Sequence, residues 1–221
     1  MKRPLSLHKL FDKSGISHSD HFPLDDITNI LGKGLKSQIA RLLDELGVED
    51  QPVVKGKVSP HAHIEGRVYI AKGATVEATA YIKGPTYIGK DTEVRHGAYI
   101  RGNVYVGDKC VVGHTTEVKG SIFFDGAKAG HFAYIGDSVL GKNVNLGAGT
   151  KLANLKLKRS IVKVTCPETK VRISSGLEKL GAIMGDGSQT GCNAVLSPGT
   201  ILEPKATVLP CTHSFGTIQA K

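Results

Sequence analysis

From position 58 to position 118 an aliphatic side chain recurs at every sixth residue: Val58, Ile64, Ile70, Val76, Ile82, Ile88, Val94, Ile100, Val106, Val112 and Val118. Four places after each stands a small or β-branched residue, running from Ala62 and Val68 through Cys110 and Thr116 to Ile122. A period of six fits neither the 3.6-residue repeat of an amphipathic helix nor the strict alternation of a half-buried strand. It predicts a solenoid, a stack of coils in which each short side turns one large residue inward.

The period loses register in SIFFDGAKAGHFAYIGDS and returns at Leu140, Leu146 and Leu152 with a net slip of two residues. Such a slip is expected to mark a bulge or a functional loop. A second interruption, residues 153–183, carries Val162, Val164, Val171 and Ile173 in alternation, which predicts a hairpin excursion. It carries Lys156, Lys158, Arg159, Lys163, Lys170 and Arg172 among its cations. The repeat resumes at Met184, Thr190, Leu196, Leu202 and Val208. Upstream, residues 24–47 place Leu24, Ile27, Ile30, Leu31, Leu35, Ile39, Leu42, Leu43 and Leu46 at helical spacing, with Asp25 and Asp26 in the first turn. One helix is predicted, or two broken near Gly32 and Gly34, covering the first coil or packing against a partner subunit. The expected organisation is a helical extension over 1–52, a solenoid over 53–210 with an inserted loop near 153–183, and a tail over 211–221.

Charge and cysteine usage narrow the picture. The chain has 221 residues and a formal charge of +9, which favours an anionic partner, whether phosphate ester, coenzyme or nucleic acid. Cys110, Cys166, Cys192 and Cys211 show no CxxC spacing and read as reduced thiols. No segment approaches the ~18 apolar residues of a membrane span, so a soluble, cytoplasmic protein is expected.

Folding the chain at 18 residues per coil turns sequence spacing into neighbourhood. Lys83, Arg101 and Lys119 form one column, and stacked cations are tolerated when an anion or a carboxylate lies between them. His96 and His114 form a second, followed by His131; three histidines on adjacent coils could ligate a metal. Tyr69, Tyr87 and Tyr105, with Tyr81 and Tyr99, form ladders that read as structural.

The hexad pattern resembles the hexapeptide repeat of left-handed parallel β-helices, which implies a mainly β fold of that hand with a short N-terminal α-helical cap. Among enzymes on that scaffold, γ-class carbonic anhydrases hold zinc with three histidines, but the five-residue pair in their ligand set is absent here, and no metal is expected. The stretch KAGHFAYIGDSVLGKNVNLGAGTKLANL over 128–155 resembles the acetyltransferase half of the bifunctional glucosamine-1-phosphate acetyltransferase/N-acetylglucosamine-1-phosphate uridylyltransferases, whose hallmark runs close to KAGHLTYIGD and then GxNVNIGAGT. ANLKLKRSIVKV and LGAIMGDGSQTGCNAVLSPGT are similar to the archaeal-type branch. The resemblance spans roughly residues 80–210.

That resemblance implies roles. Arg101, Lys119 and Tyr134 would bind the sugar phosphate; Glu117 and Asn145 would contact the sugar. His131 would be the general base and Asn154 would help stabilise the reacting centre. Gly147, Ala148 and Cys192 would lie along the acetyl-CoA path, between subunits of a homotrimer. The phosphate-contacting lysine that follows the asparagine in bacterial relatives has no counterpart, leaving Lys156, Lys158 and Arg159 as candidates. Nothing in residues 1–57 resembles a glycine-rich nucleotide loop, so no uridylyltransferase activity is expected; a separate nucleotidylyltransferase would be a partner, and no nucleic acid would be. The reaction implied is acetyl transfer from acetyl-CoA to the amine of an amino-sugar 1-phosphate, in nucleotide-sugar precursor synthesis. The same residues also suit a non-catalytic module that binds a sugar phosphate or sugar nucleotide.

Overall fold

The computed structural model describes residues 6–220; the outer ends of the expected helical extension and tail, residues 1–5 and 221, lie outside it. Three parallel sheets form the three sides of a solenoid. Sheet I has nine strands, from Val53–Val54 to Thr217–Ile218; sheet II has eight, from Lys57–Val58 to Thr207–Val208; sheet III has eight, from His63–Glu65 to His213–Ser214. The chain visits I, II and III in turn, so every backbone group on a side meets its counterpart one coil away.

The inward column is the aliphatic series. Val112, Val118, Phe123, Ala129, Ile135, Leu140, Leu146 and Leu152 are all buried in one continuous core. Their spacing shows that register is not lost after Val118: two six-residue steps are replaced by five-residue steps, Val118 to Phe123 and Ile135 to Leu140. Both shortenings fall at the corner between sheets III and I. Tyr69, Tyr87 and Tyr105 pair at intervals of 18, whereas Tyr105 pairs with Ile122 and Ile122 with Val139, intervals of 17. In the longer corner Gly102 and Asn103 are both left-handed, at φ 87° and 52°; in the shorter ones only Gly120 (55°) and then Asp137 (46°) are. Because side chains alternate faces, removing one corner residue exchanges the faces of its successors. Ile122, expected inward, therefore turns outward, and Phe123 takes its place.

The insertion leaves and re-enters at this same corner. Val139 pairs with Ile183, an interval of 44, without loss of register, and the neck is closed by Leu180 N–H donating to Asn154 O at 2.9 Å. Within it, Lys163–Thr165 and Arg172–Ser174 form the antiparallel hairpin.

Two helices, α1 (Ile27–Ile30) and α2 (Lys33–Glu45), are separated at Leu31 and Gly32. They do not close the first coil, where Val58, Ala62 and Ile64 remain only partly buried. They lie along the outer face of sheet I instead, because that face is apolar: Tyr87, Tyr105, Ile122, Val139, Ile183 and Ile201 point outward there and bury against Phe22, Leu35, Ile39, Leu42 and the hairpin's Val162 and Val164. The tyrosine ladder is the centre of this second core, with Tyr87 and Tyr105 stacked at 5.1 Å and 7°. The buried Tyr105 hydroxyl donates to Ser17 O at 2.6 Å. Burial pushes the Cys110 thiol up to about 12.

Candidate active site

Sheet III and its two corners carry the predicted residues other than Asn145. On the outer face of the sheet, Tyr99, Glu117 and Tyr134 stand in register on successive coils. Arg101 follows Tyr99, its guanidinium carbon 5.7 Å from the Tyr99 ring centre. Arg101 Nη1 donates to Glu117 Oε1 at 2.7 Å, and Lys119 Nζ donates to Asp137 Oδ2 at 2.9 Å. Lys83, lowest in the column, pairs with Glu65 at 2.9 Å. The basic column is thus matched cation by cation with carboxylates, which removes the repulsion that stacking alone would impose.

Asp137 is the hub that sequence reasoning left without a role. Its carboxylate also accepts from the Asn154 side-chain amide, while Asn154 Oδ1 accepts from the Tyr134 hydroxyl at 3.3 Å. Asp137 and Asn154 are each 9% exposed. The short corner places Asp137 there, and the IGD of the segment over 128–155 was the available signal. Burial pushes the Tyr134 phenol up, reinforced by Glu117 and Asp137, so it remains a donor near neutrality. The Glu117 carboxylate raises the Arg101 guanidinium further.

The opposite edge of sheet III, its corner with sheet II, carries the second group. His96 and His114 stack at 5.4 Å, and His131 pairs directly with His114. The column continues beyond the histidines: Gly149 N–H donates to His131 O, Asn193 N–H to Ala148 O, and Cys211 N–H to Cys192 O. His131, Ala148 and Cys192 therefore lie on consecutive coils of one corner, roughly 5 Å apart, and His131 and Cys192 are exposed. Gly147 packs so closely beneath Gly191 and Cys192 that a Cβ there would sit 2.4–2.5 Å from their backbone. Among the described residues no group of three His, Cys, Asp or Glu side chains is placed to hold a metal.

The structure thus gathers Arg101, Glu117, Lys119, Tyr134 and Asn154 on sheet III and its far corner. It places His131 three residues before Tyr134 on the near corner. Asn145 stands apart, on sheet II, in register with Lys128 and Gln189. Of the three candidates for the unmatched phosphate contact, Lys156 is held by its ammonium donating to Ile161 O at 2.7 Å, and Lys158 and Arg159 are exposed.

The model of the family described as the GMPPB C-terminal domain matches residues 82–206. The Bifunctional protein GlmU of Methanocaldococcus jannaschii is 38% identical over 158 residues, 72% of this chain and 37% of that protein. The Bifunctional sugar-1-phosphate nucleotidylyltransferase/acetyltransferase of Sulfurisphaera tokodaii is 43% identical over 86 residues, 39% of this chain and 21% of that protein. The matched stretches thus span little more than a third of these relatives at most. The structure of Francisella novicida UDP-N-acetylglucosamine acyltransferase aligns over 76% of this chain and 66% of that one, at 15% identity and a TM-score of 0.44. Among the described residues no helix is long and apolar enough to cross a membrane.

Proposed function

The chain belongs to the family of the GMPPB C-terminal domain, and on that premise we propose that it is an acyl-CoA-dependent acyltransferase that acetylates the amine of an amino-sugar 1-phosphate. The observation that carries the reading is the layout of sheet III: a phosphate-competent cation pair at one edge, an exposed histidine at the other, and polar side chains between them. The names of the GlmU and nucleotidylyltransferase/acetyltransferase relatives support the same chemistry.

Arg101 and Lys119 would hold the phosphate. Exposed ion pairs such as Arg101–Glu117 contribute only about 0–1 kcal/mol, so a phosphate offering charge-assisted, bidentate bonds displaces the carboxylate. Glu117 is then free to accept from a sugar hydroxyl or from the substrate ammonium. Tyr134, Asp137 and Asn154 form a rigid floor that orients the sugar; Asn154 acts there and, within one chain, not beside His131. Asn145 contributes where a neighbouring coil or subunit brings the sugar over sheet II.

His131 takes one proton from the ammonium, freeing the lone pair, as an imidazole acting as general base does. The amine nitrogen bonds to the thioester carbonyl carbon, the carbon–sulfur bond breaks and the departing thiolate takes the proton from the imidazolium; the second nitrogen proton leaves through the regenerated imidazole to solvent as the amide forms. The small side chains of Gly147, Ala148 and Gly149, with exposed Cys192, leave the corner beyond His131 open for the acyl donor. A homotrimer, in which this corner faces a neighbouring subunit, would enclose that path.

The test is release of free thiol from acetyl-CoA with glucosamine 1-phosphate. The wild type turns over, and His131→Ala is slower by about 10²–10⁴. Normal turnover by the variant removes His131 from the role; sugar-phosphate binding with no acetylation of any amino-sugar phosphate makes the chain a binding module.

A further inference from the structure

Above the site just described, on the same corner between sheets III and I, the inserted hairpin folds back over the last two coils and leaves a cavity of about 510 Å³. Lys156, Lys163, Thr165, Arg172, Ser197 and Phe215 line it. The hairpin's register explains the lining. Lys163 pairs with Ser174 and Thr165 with Arg172, so these four share one face, while Val164 on the other face is buried against the helices. Thr217 Oγ1 donates to Thr165 O at 2.6 Å, fastening the hairpin to the final coil and fixing the cavity's width.

The charges here differ from those lower on the corner. Lys83, Arg101 and Lys119 each have a carboxylate partner. Among the described residues none pairs with Lys156, Lys163 or Arg172. Two acids of this region are engaged elsewhere, Glu168 with Lys9 and Glu203 with Lys170. Three unmatched cations and two hydroxyls converge on a space large enough for a small ligand. At its rim stands Phe215, 72% exposed, its ring tilted by 42° against that of His213 with centroids 5.9 Å apart.

We propose that this cavity is a nucleotide site: Lys156, Lys163 and Arg172 hold the phosphates, and Phe215 stacks on the base. Two sources share that chemistry, the nucleotide end of coenzyme A and that of a nucleotide sugar. The site stands on its own residues, and its test does not require acetyl transfer.

Calorimetric titration of the full chain with adenosine 3′,5′-bisphosphate, UDP and inorganic phosphate decides it. One of the two nucleotides should bind more tightly than phosphate. Lys163→Ala/Arg172→Ala and Phe215→Ala should each weaken that binding by about tenfold, with far-UV circular dichroism and melting temperature unchanged. Arg101→Ala should leave it unaltered. The nucleotide that binds identifies the source. Absence of nucleotide binding by the wild type, equal affinity for inorganic phosphate, or wild-type affinity in the hairpin and Phe215 variants overturns the proposal, as does loss of binding in Arg101→Ala alone. Should nucleotide binding fail while thiol release persists, only this site is refuted; the reverse outcome refutes only the acetyl-transfer reading.

Discussion

At Gly136 a single missing methyl group decides whether the Tyr134–Asn154–Asp137 network can form. A Cβ there would lie 2.7 Å from Asn154 Nδ2 and 2.8 Å from the Tyr134 hydroxyl, closer than such contacts occur, while the atoms displaced are the ends of side chains. Gly136→Ala is therefore expected to leave the fold intact and to break the Tyr134–Asn154–Asp137 network. KM for the amino-sugar phosphate should rise several-fold in steady-state assays, with the melting temperature little changed. At this scale Arg101, Lys119, Tyr134 and His131 were legible through motif and spacing. Asp137 was not, since its importance depends on a corner one residue shorter than its predecessors, and a rigid count of six passes over it.

For the elements, the question is what holds the N-terminal segment against sheet I. Tyr105 is fully buried and its hydroxyl satisfies the Ser17 carbonyl. Tyr105→Phe leaves that acceptor without its partner at a cost of about 1–2 kcal/mol. Urea denaturation should show that loss as a lowered midpoint with an unchanged slope; an unaltered midpoint would mean that the carbonyl finds water. The coils were legible in the hexads because one inward residue per side is a strong constraint, and the break between the helices was legible at Gly32. Where the helices dock was not. That depended on the outward residues of one sheet, and Tyr87, Tyr105, Ile122 and Ile183 form a single stripe only once the short corners are in place.

The whole molecule presents sheet III and both its corners on one flank, with Tyr99 and Phe132 exposed beside the candidate site at 44% and 53%. A trimer that packs this flank against a neighbour would shield those rings and enclose the acyl-donor path. Sedimentation velocity is expected to give the trimer mass, and specific activity should fall on dilution once the species becomes monomeric. Full activity in a monomer would confine the site to one chain.

Leu140 meets Met184 across 44 residues in the same register that Phe123 keeps with Leu140 across 17. The wall carries no memory of how much chain departs from the corner between sheets III and I. That corner works as a splice port: residues can be lost there, as at Gly120 and Asp137, or a hairpin gained, with the stack continuing as before. Ligand preference on this scaffold can therefore be rewritten by editing one edge, while the aliphatic column that makes the chain fold stays untouched.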